Sequence, residues 1–160
     1  MIKDSNFSSD RKYRYTLSRT WDSTKPKVLF IGLNPSIADE NEDDATLTRC
    51  INFADSWGYG GLYMLNLFSF VDTYQEDLWM LDDPVGIETD QWIIKMTQQV
   101  DKVILAWGNG PNNECFRNRV EAVLKLLHDN KITPYCIKKN GTGMPSHPLY
   151  LKSDLQPTQY

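Results

Sequence analysis

Four short segments of this chain combine residue types able to hold a heterocycle and an attacking water: Gly32-Leu33-Asn34-Pro35-Ser36, Asn66 to Ser69, Trp107-Gly108-Asn109 and Ser146-His147-Pro148. In the first, Gly32 lets backbone approach a ligand, Asn34 both donates and accepts, and Pro35 fixes the turn. Asn66 sits inside the otherwise apolar run Leu62–Leu67, where an unpaired amide costs about 1–3 kcal/mol, so it needs a partner in the fold or in a ligand. His147 sits in a Gly/Pro-bounded loop, from which an imidazole can donate to a carbonyl or phosphate oxygen. Each feature also has a plainer reading: an ordinary turn, an Asn bonded to backbone, a packing or capping His. Trp107 reads as core, with ring stacking as the alternative.

Other chemistries find less support. With His128 and His147 as the two histidines, a multi-histidine metal site is not expected, and His128 reads as a surface residue at a helix end. The acidic run Asp39–Asp44 reads first as a solvated loop; Asp43 and Asp44 are weak candidates for Mg²⁺, and otherwise no metal or cofactor is expected. Ser36, Ser69 and Ser146 lack a nucleophile-elbow context, and no lysine follows a glycine-rich phosphate loop. Cys50, Cys115 and Cys136 are too few and too scattered for a disulfide framework or a four-cysteine cluster.

The positioning elements follow from periodicity. Tyr13, Tyr15 and Leu17 alternate with polar residues and predict an edge strand. The apolar runs 28–31, 62–67 and 103–107, with 132–137, predict four buried strands. Thr46 is expected to cap a helix carrying Leu47, Cys50, Ile51, Ala54 and Trp57 on one face. Further helices are expected over 89–100 and 113–128, with helical turns around 76–80. Strands alternating with helices predict an α/β fold: a three-layer α/β/α sandwich around a central, mainly parallel four-stranded sheet, whose ligands gather beyond the strands' carboxyl ends. Residues 1–10 are expected to be a flexible N-terminus and 11–160 a single α/β domain. The 160 residues carry net charge −4, 41% hydrophobic residues and no ~20-residue apolar span; Met1–Arg11 lacks the apolar block of a secretory signal, so a cytoplasmic protein with no membrane partner is expected. That charge allows nucleic acid as a partner without indicating it; a basic rim would have to come from residues such as Arg49, Arg117, Lys138 and Lys139.

Taken in order, GLNPS at 32–36, MLNLF at 64–68, AWG at 106–108 and HPLYL at 147–151 resemble the bacterial and phage domain-of-unknown-function family 1643. So do Arg14-Tyr15 with Leu17, Arg19 and Trp21, then Asp43-Asp44 with Thr46 and Arg49, then Trp57-Gly58-Tyr59-Gly60. The same four loop segments are more distantly similar to the uracil-DNA glycosylase superfamily. That likeness implies a uracil-DNA-glycosylase-like α/β/α fold with a base pocket, in which Asn34 orients water, Asn66 reads the base edge and His147 stabilises charge on a base carbonyl. Gly32, Pro35, Ser36, Trp107, Gly108 and Asn109 would complete the substrate site. The chain differs in reading Ser36-Ile37 where an aromatic usually follows, and Leu149-Tyr150-Leu151 where a serine-rich wedge helps extrude a nucleotide. The expected activity is a glycosylase-like pocket for a nucleobase, nucleotide or nucleic acid that cleaves an N-glycosidic bond. The alternatives are a non-catalytic nucleotide-sequestering protein and a Mg²⁺-dependent nucleotide hydrolase.

Overall fold

The computed structural model describes residues 1–36, 38–71 and 78–160. Seven strands make one sheet: β1 (Ile2–Phe7), β2 (Arg14–Thr20), β3 (Lys27–Gly32), β4 (Gly61–Asn66), β5 (Lys102–Leu105), β6 (Pro134–Cys136) and β7 (Thr158–Gln159), in the order β1-β2-β4-β3-β5-β6-β7. The described helices are α1 (Ala45–Ser56), α2 (Thr89–Thr97) and α3 (Glu114–Asp129). None of them is long and apolar enough to cross a membrane.

Because successive side chains leave a strand on opposite faces, the apolar runs feed two cores. Leu29, Ile31, Leu65, Val103 and Leu105 pack with Ile93 and Met96 of α2 and with Phe116, Val120 and Val123 of α3. Val28, Phe30, Leu62, Met64 and Ile104 pack with Leu47, Cys50, Phe53 and Ala54 of α1. Arg119, nearly buried on α3, ties two segments of the first core together. Its Nε donates to the Leu67 carbonyl at 2.7 Å and its Nη2 to Asp90 at 2.7 Å.

Several expectations need correction. The sheet is mixed and seven-stranded, with β3–β4, β3–β5 and β5–β6 parallel and β1–β2, β2–β4 and β6–β7 antiparallel. The additional strands carry no buried apolar run: β1 is polar and mostly exposed, and β7 is short and exposed, so backbone pairing alone defines them. For the same reason the expected loose N-terminus is a strand, Ile2 pairing with Thr20, and β2 lies one place inside the edge. The N-cap of α1 is Asp44, whose Oδ1 accepts from Leu47 N–H at 2.8 Å; a carboxylate outranks a threonine hydroxyl at that position, leaving Thr46 in the first turn. Of the expected helical turns around 76–80, residues 76 and 77 lie outside the described residues.

One fully buried cation organises the acidic loop. Arg19 donates from Nε to Asp43 at 2.8 Å, from Nη1 to the Ser18 carbonyl at 2.8 Å, and from Nη2 to the carbonyls of Asp39 and Glu42. Lys3 approaches the same Asp43 oxygen at 3.8 Å. A buried charge is tolerated only when its donors are met, and here loop carbonyls meet most of them. Arg19→Met is therefore expected to lower unfolding stability by on the order of 3 kcal/mol in urea titrations; a loss under about 0.5 kcal/mol, as for an ordinary surface substitution, would contradict the clamp.

Candidate functional site

A cavity of about 490 Å³ lies at the carboxyl ends of β3, β4 and β5 and is also lined by His147 and Pro148. Parallel pairing sets Gly32 opposite Asn66, and the pairing runs on through Leu67 N–H to the Gly32 carbonyl at 2.9 Å. A side chain at Gly32 would put its Cβ 2.8 Å from Asn66 Oδ1, so glycine makes room for the amide. Asn66 is 4% exposed, lines the cavity, and has no hydrogen-bond partner for its Nδ2.

The first expected segment divides between lining and support. Gly32, Asn34 and Ser36 line the cavity, whereas Pro35 is buried and outside the lining. Asn34 is half-buried, and its Nδ2 donates to the Pro35 carbonyl at 3.2 Å. Ser36 Oγ donates to Asp44 Oδ2 at 2.6 Å, joining this segment to the capped start of α1.

The opposite wall is a hydrogen-bonded loop platform. Trp107, Gly108 and Asn109 follow β5 and line the cavity, with Trp107 fully buried and its Nε1 directed to Met144 Sδ at 3.4 Å, a core placement. Gly108 takes φ +76° and donates its N–H to the Pro145 carbonyl at 2.9 Å; a Cβ there would lie 3.4 Å from His147 Cβ. Asn109 Oδ1 accepts from Asn140 Nδ2 at 2.8 Å and Thr142 Oγ1 at 2.6 Å, while Ser146 Oγ donates to Asn140 Oδ1. This network holds His147 at the mouth, exposed, with its Nδ1 accepting from Leu149 N–H at 3.2 Å. In the neutral ring the proton therefore sits on Nε2, which leaves Nε2–H as the donor. Partial burial pushes the imidazole pKa below its ordinary value, against an upward pull from Asp44. Tyr150 follows in the same loop, at φ +67° and 99% exposed.

Two charged residues also line the cavity, of which Arg14 was not expected in the site. Arg14, 3% exposed, donates from Nη1 to the Ala38 carbonyl at 2.6 Å, while its Nε has no partner. Burial lowers its pKa to about 10, with Asp44 and Asp39 pulling up and Arg19 pushing down, so it stays a cation at neutral pH. Asp44, a weak Mg²⁺ candidate in the sequence, is a cavity carboxylate whose oxygens accept from Leu47 and Ser36. Asp43 lies outside the lining, bound to Arg19. Among the described residues no group of three or more His, Cys, Asp or Glu side chains is placed to hold a metal. The candidate rim cations also lie outside the lining: Arg49 donates to the Leu151 carbonyl, Arg117 bonds Asn112 at 2.7 Å, and Lys139 sits over the Tyr160 ring. The three cysteines are free thiols.

The molecule is thus an α/β protein with a ligand-sized cavity of mixed polar and apolar lining where its parallel strands end. Residues 14–149 match the family described as "Protein of unknown function (DUF1643)", and the chain belongs to that family. No curated protein and no solved structure matches the chain.

The electrostatics of the mouth can be read by NMR. The His147 ring should titrate below 6.5, and Asp44→Asn, which retains an N-capping oxygen, should move that midpoint further down by removing the pull that raises it. A midpoint above 6.5, or an upward move in the variant, would contradict the arrangement.

Proposed function

We propose that the cavity is a nucleobase pocket, serving a free nucleotide or a base within nucleic acid, and that its reaction is hydrolysis of the N-glycosidic bond. The observation that carries this reading is the meeting, on one cavity, of Asn34, Asn66 and His147 from three separated segments, with the Asn66 Nδ2 donor buried and unpaired. A ring that offers an acceptor to Nδ2 and a donor to Oδ1 would supply what the amide lacks. In the reaction, water adds to the sugar carbon as the carbon–nitrogen bond breaks, the departing base takes the electron pair, and the proton lost by the water passes through solvent to the released base anion. Asn34 would orient that water, and the His147 Nε2–H would donate to the base oxygen on which negative charge gathers. The uracil-DNA-glycosylase-like fold expected from the sequence belongs to this proposal. Support for it comes from the parallel strands β4-β3-β5-β6, covered by α1 on one face and by α2 and α3 on the other.

Capture without cleavage is the second reading, and one observation favours it: at the water-orienting position Asn34 is an amide, which cannot take the proton that an attacking water must lose. The two readings separate in one experiment. The protein is incubated with uracil- and modified-base-containing single- and double-stranded DNA and with a nucleotide panel; released base is quantified by chromatography, and binding by calorimetry. Release is expected to fall about 10²–10³-fold in His147→Ala. Gly32→Ala should weaken binding by displacing the Asn66 amide, with little change in urea midpoint, since the close atom is the end of a side chain. Binding without release selects capture. Absence of both at millimolar ligand rejects the pocket assignment.

A further inference from the structure

Arg14 is a buried cation with no carboxylate in ion-pair contact among the described residues, Asp44 and Asp39 acting on it only from a distance. It bonds one carbonyl and presents an unpartnered Nε in a cavity wall. Arg19, equally buried, shows the contrast, with Asp43 and three carbonyls around it. Arginine cannot shed its proton near neutrality, so its burial costs free energy that a bound anion would offset. The single carboxylate in the lining, Asp44, already accepts from Ser36 and Leu47. Arg14 and Asn66 come from paired strands, and Arg14 N–H bonds the Ser69 carbonyl just beyond β4. The two unpartnered donors in the lining thus belong to its most buried polar side chains, Arg14 at 3% and Asn66 at 4% exposure, and so call for acceptors on the part of a ligand that enters first.

We propose that the ligand is a nucleobase-sized ring bearing an anionic oxygen, as a carboxylate or an ionised ring oxygen, seated against Arg14 Nε–H beside the Asn66 amide. The inference rests on the nucleobase reading above and sharpens it to acidic bases. A nucleotide phosphate is a poorer candidate for this contact, because it would sit at the mouth, beside the exposed His147 and Asn109, and not among the buried donors.

Calorimetry at pH 7 on the full chain tests it, with uracil-5-carboxylate and uracil-6-carboxylate, each against its neutral carboxamide, and inorganic phosphate as a ring-free anion. One carboxylate is expected to bind about tenfold or more tightly than its carboxamide. Arg14→Met should erase that preference and Arg14→Lys should keep most of it, near-ultraviolet circular dichroism verifying that each variant is folded. Should neither variant fold, the comparison of carboxylate with carboxamide on the unaltered protein decides alone. Equal affinity for acid and amide, or a preference that survives Arg14→Met, overturns the Arg14 assignment and leaves the nucleobase reading standing. Phosphate binding that depends on Arg14 while every ring fails keeps an anion site and overturns the nucleobase reading, and with it the ring proposed here. No binding by any probe overturns both.

Discussion

The register between β3 and β4 is the constraint on which the site depends. Pairing Gly32 with Asn66 puts a residue without a side chain beside an amide that needs space, at the end where the strands stop and the cavity begins. Side chains alternate along a strand, so a one-residue slip would turn Asn66 to the other face and bring a Cβ into its place. The apolar residues before each of them make that slip costly, since Leu62, Met64 and Leu65 would exchange the cores they fill. The hydrophobic pattern of the strands thus fixes a polar side chain several residues away.

Arginine side chains hold the connections around this register, each bonded to backbone carbonyls. Arg19 gathers the acidic loop, Arg119 secures the chain leaving Asn66, and Arg49 holds the C-terminal segment at Leu151, where Trp57 adds a bond to the Leu155 carbonyl at 2.9 Å. A guanidinium presents several donors in a rigid plane, so one side chain can satisfy loop carbonyls that no strand reaches. Arg14 stands apart because its unpartnered donor belongs to a residue that lines the cavity; Arg49 Nε is also without a partner, but Arg49 lies outside the lining.

What could be read in the sequence was the part governed by apolar periodicity. The runs 28–31, 62–67 and 103–107 announced β3, β4 and β5, and an Asn inside an apolar run marked Asn66 as a side chain needing a partner. Strand ends carry the ligand-facing turns of such sheets, which is why Asn34, Asn66, Trp107 and His147 could be named as neighbours of one cavity. What could not be read follows from the same physics. β1 and β7 bury almost nothing, so pairing leaves no hydrophobic trace. Arg14 looked like the polar half of an alternating strand, because local pattern does not tell a charge facing solvent from one enclosed by α1's approach loop. Asp44 was legible as a carboxylate, but its part as a helix cap emerges only with the position of Leu47 N–H.

The most direct test is a high-resolution crystal structure of the protein soaked with a uracil-type base. The account predicts a ring in the cavity, an acceptor within hydrogen-bond distance of Asn66 Nδ2 and a ring oxygen facing His147. A ring bound elsewhere, or an Asn66 amide whose hydrogen bonds are all met by protein in the ligand-free crystal, would contradict it.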